Sequence, residues 1–202
     1  MRRTASTQTE RADTSRLQTT PPQILGPFYP VAESPDRAAD LARPTGSAAE
    51  AGGQLIYVRG RVLTCSGKPV AHARIEIWQA NAAGKYRHPS DNNPAPLDPN
   101  FKGFAQLTTD AAGRYAFRTI KPGGYPTVEG DIRPPHIHFT VDGRLDRLVT
   151  QLYFAGEADN QTDRWLNSLP QPERLIVALQ RPSPDLEARA RLAHFDIVLA
   201  SG

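Results

Sequence analysis

Leu55-Ile56-Tyr57-Val58-Arg59-Gly60-Arg61-Val62-Leu63-Thr64 and Ala73-Arg74-Ile75-Glu76-Ile77-Trp78-Gln79 decide the fold class. Apolar and polar side chains alternate with a period of two in both, the repeat of a strand with two different faces. Ser66-Gly67-Lys68-Pro69 breaks the chain between them. Working outward, Asp110-Ala111-Ala112-Gly113 is a turn between Phe104–Thr109 and Arg114–Thr119, which predicts a hairpin. Further strands are expected over His136–Val141, Leu148–Phe154 and His194–Leu199, with helical propensity only near Asp163–Leu169 and Asp185–Leu192. Short strands punctuated by Gly and Pro predict an all-β fold, an antiparallel or mixed β-sandwich with long loops and little helix.

Two long segments, 80–103 and 120–135, hold eight of the 19 prolines. Loops of that length are functional or disordered, and their prolines and tyrosines favour stiff loops that shape a cavity. Residues 1–22 are polar and rich in Thr, Ser and Arg, and are expected to be a disordered or partner-ordered arm ahead of a single domain over 23–202. Arg2-Arg3 has the pair of a twin-arginine signal without its apolar region, so the expected compartment is the cytoplasm.

Composition narrows the chemistry. The chain of 202 residues has a mean hydropathy of −0.50 and no apolar run of membrane-spanning length. Cys65 is the single cysteine, which rules out an intrachain disulfide and any site built from several thiolates. Of the net charge of +3, about +2 lies in residues 1–20, so the body offers no electrostatic footprint for nucleic acid. Histidine, tyrosine and acid–base chemistry stay open.

His136-Ile137-His138 is the sharpest local feature. On a strand, positions i and i+2 face the same way, so both imidazoles reach one point. Arg133-Pro134-Pro135 stiffens the approach and adds a fixed cation. A cupin-type site would need a Glu shortly after the pair, but Phe139–Arg144 holds only Asp142 and the next Glu is Glu157. Tyrosine is then the remaining candidate donor, with Tyr86 and Tyr125 in the Pro-rich segments beside glycines. Taken alone, such histidines also serve as polar strand faces and such tyrosines as packing, which leaves a non-catalytic β-sandwich binding module as a rival.

Five segments in order carry a resemblance. Ile75-Glu76-Ile77-Trp78-Gln79-Ala80-Asn81-Ala82-Ala83-Gly84-Lys85-Tyr86-Arg87-His88 is followed by Leu97-Asp98-Pro99-Asn100-Phe101 and Thr119-Ile120-Lys121-Pro122-Gly123-Gly124-Tyr125-Pro126. Arg133-Pro134-Pro135-His136-Ile137-His138-Phe139 and Leu148-Val149-Thr150-Gln151-Leu152-Tyr153-Phe154 complete the set, and Gly26-Pro27-Phe28-Tyr29 resembles a segment near the start of the catalytic region. Over about residues 20–200 the chain resembles the intradiol ring-cleavage dioxygenases, nearest to the protocatechuate 3,4-dioxygenase type and its iron-bearing subunit. The resemblance implies Fe(III) held by Tyr86, Tyr125, His136 and His138, with Tyr125 and His138 axial and Tyr86 and His136 equatorial. Tyrosinate is a hard anionic donor, which suits Fe(III). Tyr125 would also take a proton from substrate, Arg133 would stabilise charge on the activated ring, and Gln151 would line the same pocket.

The implied reaction opens a catechol between its two hydroxyl carbons with O2 and gives a cis,cis-muconate diacid. Protocatechuate, giving 3-carboxy-cis,cis-muconate, is the expected substrate; catechol, hydroxyquinol and other substituted catechols are alternatives. The catechol-type enzymes carry an extra helical region, and only 54 residues precede Leu55. The implied partners are the small substrate and O2, with no nucleic acid or membrane, in a homo-oligomer or paired with a related subunit. One departure concerns the pocket: Thr127 stands where relatives of the protocatechuate type carry tryptophan, and Val128-Glu129-Gly130-Asp131 is short and polar. Tyr29 and Arg87 are the candidates to meet a ring carboxylate.

Overall fold

The computed structural model describes residues 16–31, 37–43, 45–47 and 49–201. Its strands are β1 (Leu55–Thr64), β2 (Arg74–Trp78), β3 (Phe104–Thr108), β4 (Arg114–Ile120), β5 (Tyr125–Pro126), β6 (Ile132–Arg133), β7 (His136–Asp142), β8 (Arg147–Phe154), β9 (Ile176–Val177), β10 (Arg191–His194) and β11 (Ile197–Leu199). Helix is confined to the single turn α1 (Arg164–Asn167) and two 3-10 turns, Ala158–Gln161 and Pro172–Leu175. The fold is therefore all-β, as the alternation predicts. Among the described residues no helix is long and apolar enough to cross a membrane.

Two sheets form the sandwich. In one, β1 pairs antiparallel with β4 on one edge and parallel with β10 and then β11 on the other. The other has five strands in the order β3-β2-β7-β8-β9. Ile56, Val58 and Val62 of β1 and Phe117 of β4 join Ile75, Ile77, Ile137, Phe139, Val141 and Leu152 of the second sheet in one buried core. Each such side chain contributes about 1.5–3 kcal/mol by leaving water.

Three local expectations change. The turn at Asp110 forms as predicted: the Asp110 carboxylate accepts from the Ala112 and Arg114 amides, and Gly113 takes φ +72°. The strands it joins do not pair, however. β3 pairs with β2 and β4 with β1, so the turn crosses from sheet to sheet. Thr109 holds the end of β3 to the β2 side by donating to the Val70 carbonyl and accepting from the Ala73 amide. The expected strand over His194–Leu199 starts earlier and splits into β10 and β11. Between them the chain presses on Gly60, where a Cβ would lie 1.9 Å from the Phe195 carbonyl oxygen. Residues 185–192 form turns and then β10 rather than a helix. Their charges are drawn into tertiary pairs instead, Asp185 to Arg59 and Glu187 to Arg118, which overrides propensity.

The expected boundary at residue 22 lies in a segment laid along the sandwich; residues 1–15 of the expected arm are outside the described residues. The Leu17 amide donates to the Cys65 carbonyl, Thr20 exchanges bonds with Val198, and the Gln23 amide donates to the Val149 carbonyl. This path brings residues 23–30 over the outward face of the five-stranded sheet.

Candidate metal centre

Both faces of β7, the middle strand of the five-stranded sheet, are buried. Opposite residues of paired strands share a face, so the register Trp78↔His138↔Gln151, Glu76↔Thr140 and His136↔Tyr153 puts all of these side chains on the face turned away from the core. Residues 24–30 roof it. Gly26 has φ +76°, and a Cβ there would stand 3.1 Å from His138 Cε1, so a side chain at this position would press on the imidazole. Tyr29 donates to Glu76 at 2.8 Å, and Thr140 donates to the same carboxylate at 3.0 Å, which pins the roof to β2 and β7.

Tyr86 is presented by a loop held at many points. Asn81 Oδ1 accepts from the Ala83 and Lys85 amides, Lys85 Nζ donates to the carbonyls of Asp91 and Asn93, and the Tyr86 amide donates to Asp91 at 2.7 Å. Tyr125 begins the β5–β6 ribbon, whose register sets it opposite Arg133. The two segments meet at glycine: with φ +78°, Gly84 would carry a Cβ 2.1 Å from the Gly124 oxygen. Only glycine permits that approach, which leaves the Tyr86 and Tyr125 rings 5.3 Å apart, edge to face.

The polar atoms converge. His136 Nε2 is 3.1 Å from His138 Nε2 and 3.5 Å from Tyr125 Oη. His136 Nδ1 lies 2.7 Å from the Pro134 carbonyl, which can only accept, so Nδ1 carries the proton and Nε2 presents its lone pair. His138 stacks on Trp78 at 4.7 Å. Burial, with the Arg133 charge adding to it, holds both imidazoles well below their ordinary pKa and therefore neutral. Burial pushes the Tyr86 hydroxyl well above its usual value and raises that of Tyr125, while Arg133 pulls both back. Tyr86 Oη and His138 Nδ1 are buried without a hydrogen-bond partner. A buried phenol and a buried imidazole nitrogen without partners are costly as they stand. A hard cation held by the two Nε2 atoms and the tyrosine oxygens would give the orphaned Tyr86 hydroxyl oxygen a partner, so the donor set fits a metal. Among the described residues no group of three or more His, Cys, Asp or Glu could hold one, which leaves the tyrosines to complete any site at the His pair.

Beside these donors lies a cavity of about 420 Å³, lined by Phe28, Asp91, Tyr125, Thr127, Arg133 and Trp165 among others. It is large enough for a single-ring substrate. Arg133 is 2% exposed. It donates through Nε to Asp163 at 2.6 Å and through Nη2 to Gln151 at 2.8 Å and to Tyr153 at 2.9 Å. Tyr153 also donates to Gln151, whose own amide donates to the Ile24 carbonyl. Burial and Arg133 bear on Tyr153 in opposite directions, and burial wins.

Tyr86, Tyr125, His136, His138 and Arg133 thus come together around one point beside the cavity. Gln151 lies behind Arg133, wholly buried, as a support of the guanidinium and not part of the cavity wall. Tyr29 is committed to Glu76, and Arg87 donates to the Asp98 and Phe101 carbonyls; neither lines the cavity. Sequence reasoning missed Asp163, Tyr153 and Trp165. Asp163 carries one local signal, as the N-cap whose side chain accepts from the Leu166 amide, but nothing in spacing points to Arg133, 30 residues away. Phe28 stands in the Gly26–Tyr29 motif, but its place 4.8 Å from the Tyr86 ring and 5.9 Å from that of Tyr125 is found only in three dimensions.

A family model described as dioxygenase matches residues 24–201. The chain is 45% identical over 166 residues to the protocatechuate 3,4-dioxygenase beta chain of Burkholderia cepacia, covering 79% of this chain and 70% of that one. It is 34% identical to catechol 1,2-dioxygenase 2 of Acinetobacter lwoffii, covering 68% of this chain and 52% of the relative, so it spans about half of that protein. Among solved structures, the dioxygenase domain of a dioxygenase carbohydrate-binding fusion from Streptomyces sp. SirexAA-E matches with a TM-score of 0.69 and 29% identity, covering 92% of this chain and all of that domain.

Proposed function

The chain belongs to the intradiol ring-cleavage dioxygenases, and on that premise we propose that Tyr86, Tyr125, His136 and His138 hold Fe(III) and that the neighbouring cavity takes a catechol. The observation that carries this reading is the convergence of the buried His136 Nε2, His138 Nε2 and Tyr125 Oη, with the orphaned Tyr86 Oη buried with them. When bound, the ferric ion supplies Lewis acidity that lowers the pKa of the substrate hydroxyls and orients the ring for attack by O2.

The chain's own residues do the rest. Tyr125 lines the cavity, and as the tyrosinate it would be when holding the ion, its oxygen is placed to accept a hydroxyl proton as substrate enters and to become a neutral phenol. Arg133, with Nε and Nη2 fixed by Asp163, Gln151 and Tyr153, offers a rigid positive charge to the deprotonated ring without having to reorganise. Phe28 packs beside Tyr86, and Arg133 is buried, which strengthens that attraction. The product is the cis,cis-muconate diacid. Protocatechuate, giving the 3-carboxy product, is the substrate we put first, supported by the identity to a protocatechuate enzyme's beta chain; catechol and hydroxyquinol are the alternatives. The alpha and beta chains named among the relatives support an assembly of like or related subunits.

Oxygen uptake by iron-loaded protein over protocatechuate, catechol and hydroxyquinol tests the reading. One O2 consumed per ring opened, with a muconate product, is expected. No uptake on any catechol would overturn it.

A further inference from the structure

A stack of three side chains runs along one wall of the cavity, from beside Tyr125 to the rim. The Trp165 indole carries the Arg133 guanidinium 4.4 Å from its ring centre and that of Arg164 at 4.2 Å. All three line the cavity, and the two arginines are the cationic residues that do so. Arg133 commits Nε and Nη2 to buried partners. Arg164 has a side chain 52% exposed and, among the described residues, one ionic partner, Glu129, at 2.9 Å.

The two halves of that ion pair are held very differently. Arg164 opens α1, a turn fixed by its Asp163 cap and by the bond from Gln23 to the Trp165 carbonyl, and its guanidinium is stacked on an indole. Glu129 sits on the turn between β5 and β6. That turn is closed by its own backbone, with Val128 fully exposed and nothing within 4 Å of where a Cβ on Gly130 would be. The cation is therefore fixed and its counter-ion free to leave. An exposed pair of this kind contributes little to stability, so exchanging one carboxylate for another costs little.

We propose that Arg164 is the subsite for an anionic substituent on the ring, a carboxylate or sulfonate, and that Glu129 fills this subsite until substrate displaces it. The proposal rests on the ring-cleavage reading above and adds to it the residue that holds the ring substituent and the carboxylate that gives way to it. A ring whose hydroxyls lie near Tyr125 and Arg133 would point its substituent along the Trp165 wall, where the planar guanidinium matches a carboxylate with two hydrogen bonds.

Anaerobic calorimetry with iron-loaded protein tests this, using protocatechuate and catechol as the two probes. Arg164→Gln is expected to weaken protocatechuate binding about 10-fold or more and to leave catechol unchanged. Glu129→Gln removes the competing carboxylate and is expected to tighten protocatechuate binding about 2-fold to 5-fold. Equal effects of Arg164→Gln on both probes, no effect on protocatechuate, or weaker protocatechuate binding in Glu129→Gln would overturn the proposal. Oxygen uptake by the same proteins separates the two readings. Wild-type protein that binds both probes and opens neither ring would sink the ring-cleavage reading, while the binding comparison still decides Arg164.

Discussion

On one face of β7, Ile137, Phe139 and Val141 pack into the sandwich core; on the other, His136, His138 and Thr140 look into the roofed pocket. Both faces are buried, and they differ in how burial is answered. Dispersion and area suffice for the first. On the second, each polar atom needs a partner. Thr140 has Glu76, His136 Nδ1 has the Pro134 carbonyl, and His138 Nδ1 and Tyr86 Oη have none. A buried phenol without a partner, beside two imidazoles whose Nε2 atoms converge, marks where the fold has given up stability for a ligand. Because the strand has a period of two, a slip of one residue would exchange the faces and destroy both.

Changes on either face should separate them, and the largest concerns the pocket side. His138→Ala should keep the fold, by circular dichroism, and lose all iron after reconstitution, with no turnover; iron retained at wild-type level would remove His138 from the site. Phe139→Ala, next to it on the core side, should cost about 3–5 kcal/mol of stability. Chemical denaturation measures that loss, while the protein still folded should keep the wild-type visible spectrum. Gln151→Leu removes one of the acceptors of Arg133 and the acceptor of the Tyr153 hydroxyl, and should lower kcat about 10-fold to 100-fold with iron retained. An unchanged kcat would show that the guanidinium needs no such support. The smallest effect belongs to Gly26→Ala, where φ +76° and the contact with His138 should cost about 1 kcal/mol and shift the iron absorption band. An unshifted band would mean that the roof does not bear on the imidazole.

Most of the strands and the His136–His138 pair were legible because a period of two is local. The failures were of tertiary origin. The Asp110–Gly113 turn has hairpin chemistry, yet the partners of β3 and β4 lie in different sheets, and no local signal distinguishes a hairpin from a crossing. Residues 185–192 look helical until Arg59, Tyr57 and Arg118 claim Asp185 and Glu187. In the site, Tyr86 and Tyr125 could be named from their motifs. What holds Arg133 could not be, since Asp163 and Tyr153 reach it across 30 and 20 residues.

The visible spectrum of the iron-reconstituted protein tests the central claim most directly, compared across wild type, Tyr86→Phe and Tyr125→Phe. Two tyrosinates on Fe(III) should give a red-brown charge-transfer band, which each substitution weakens and which added catechol shifts. Wild-type protein that binds iron and stays colourless, or two variants that both keep the full band, would contradict it.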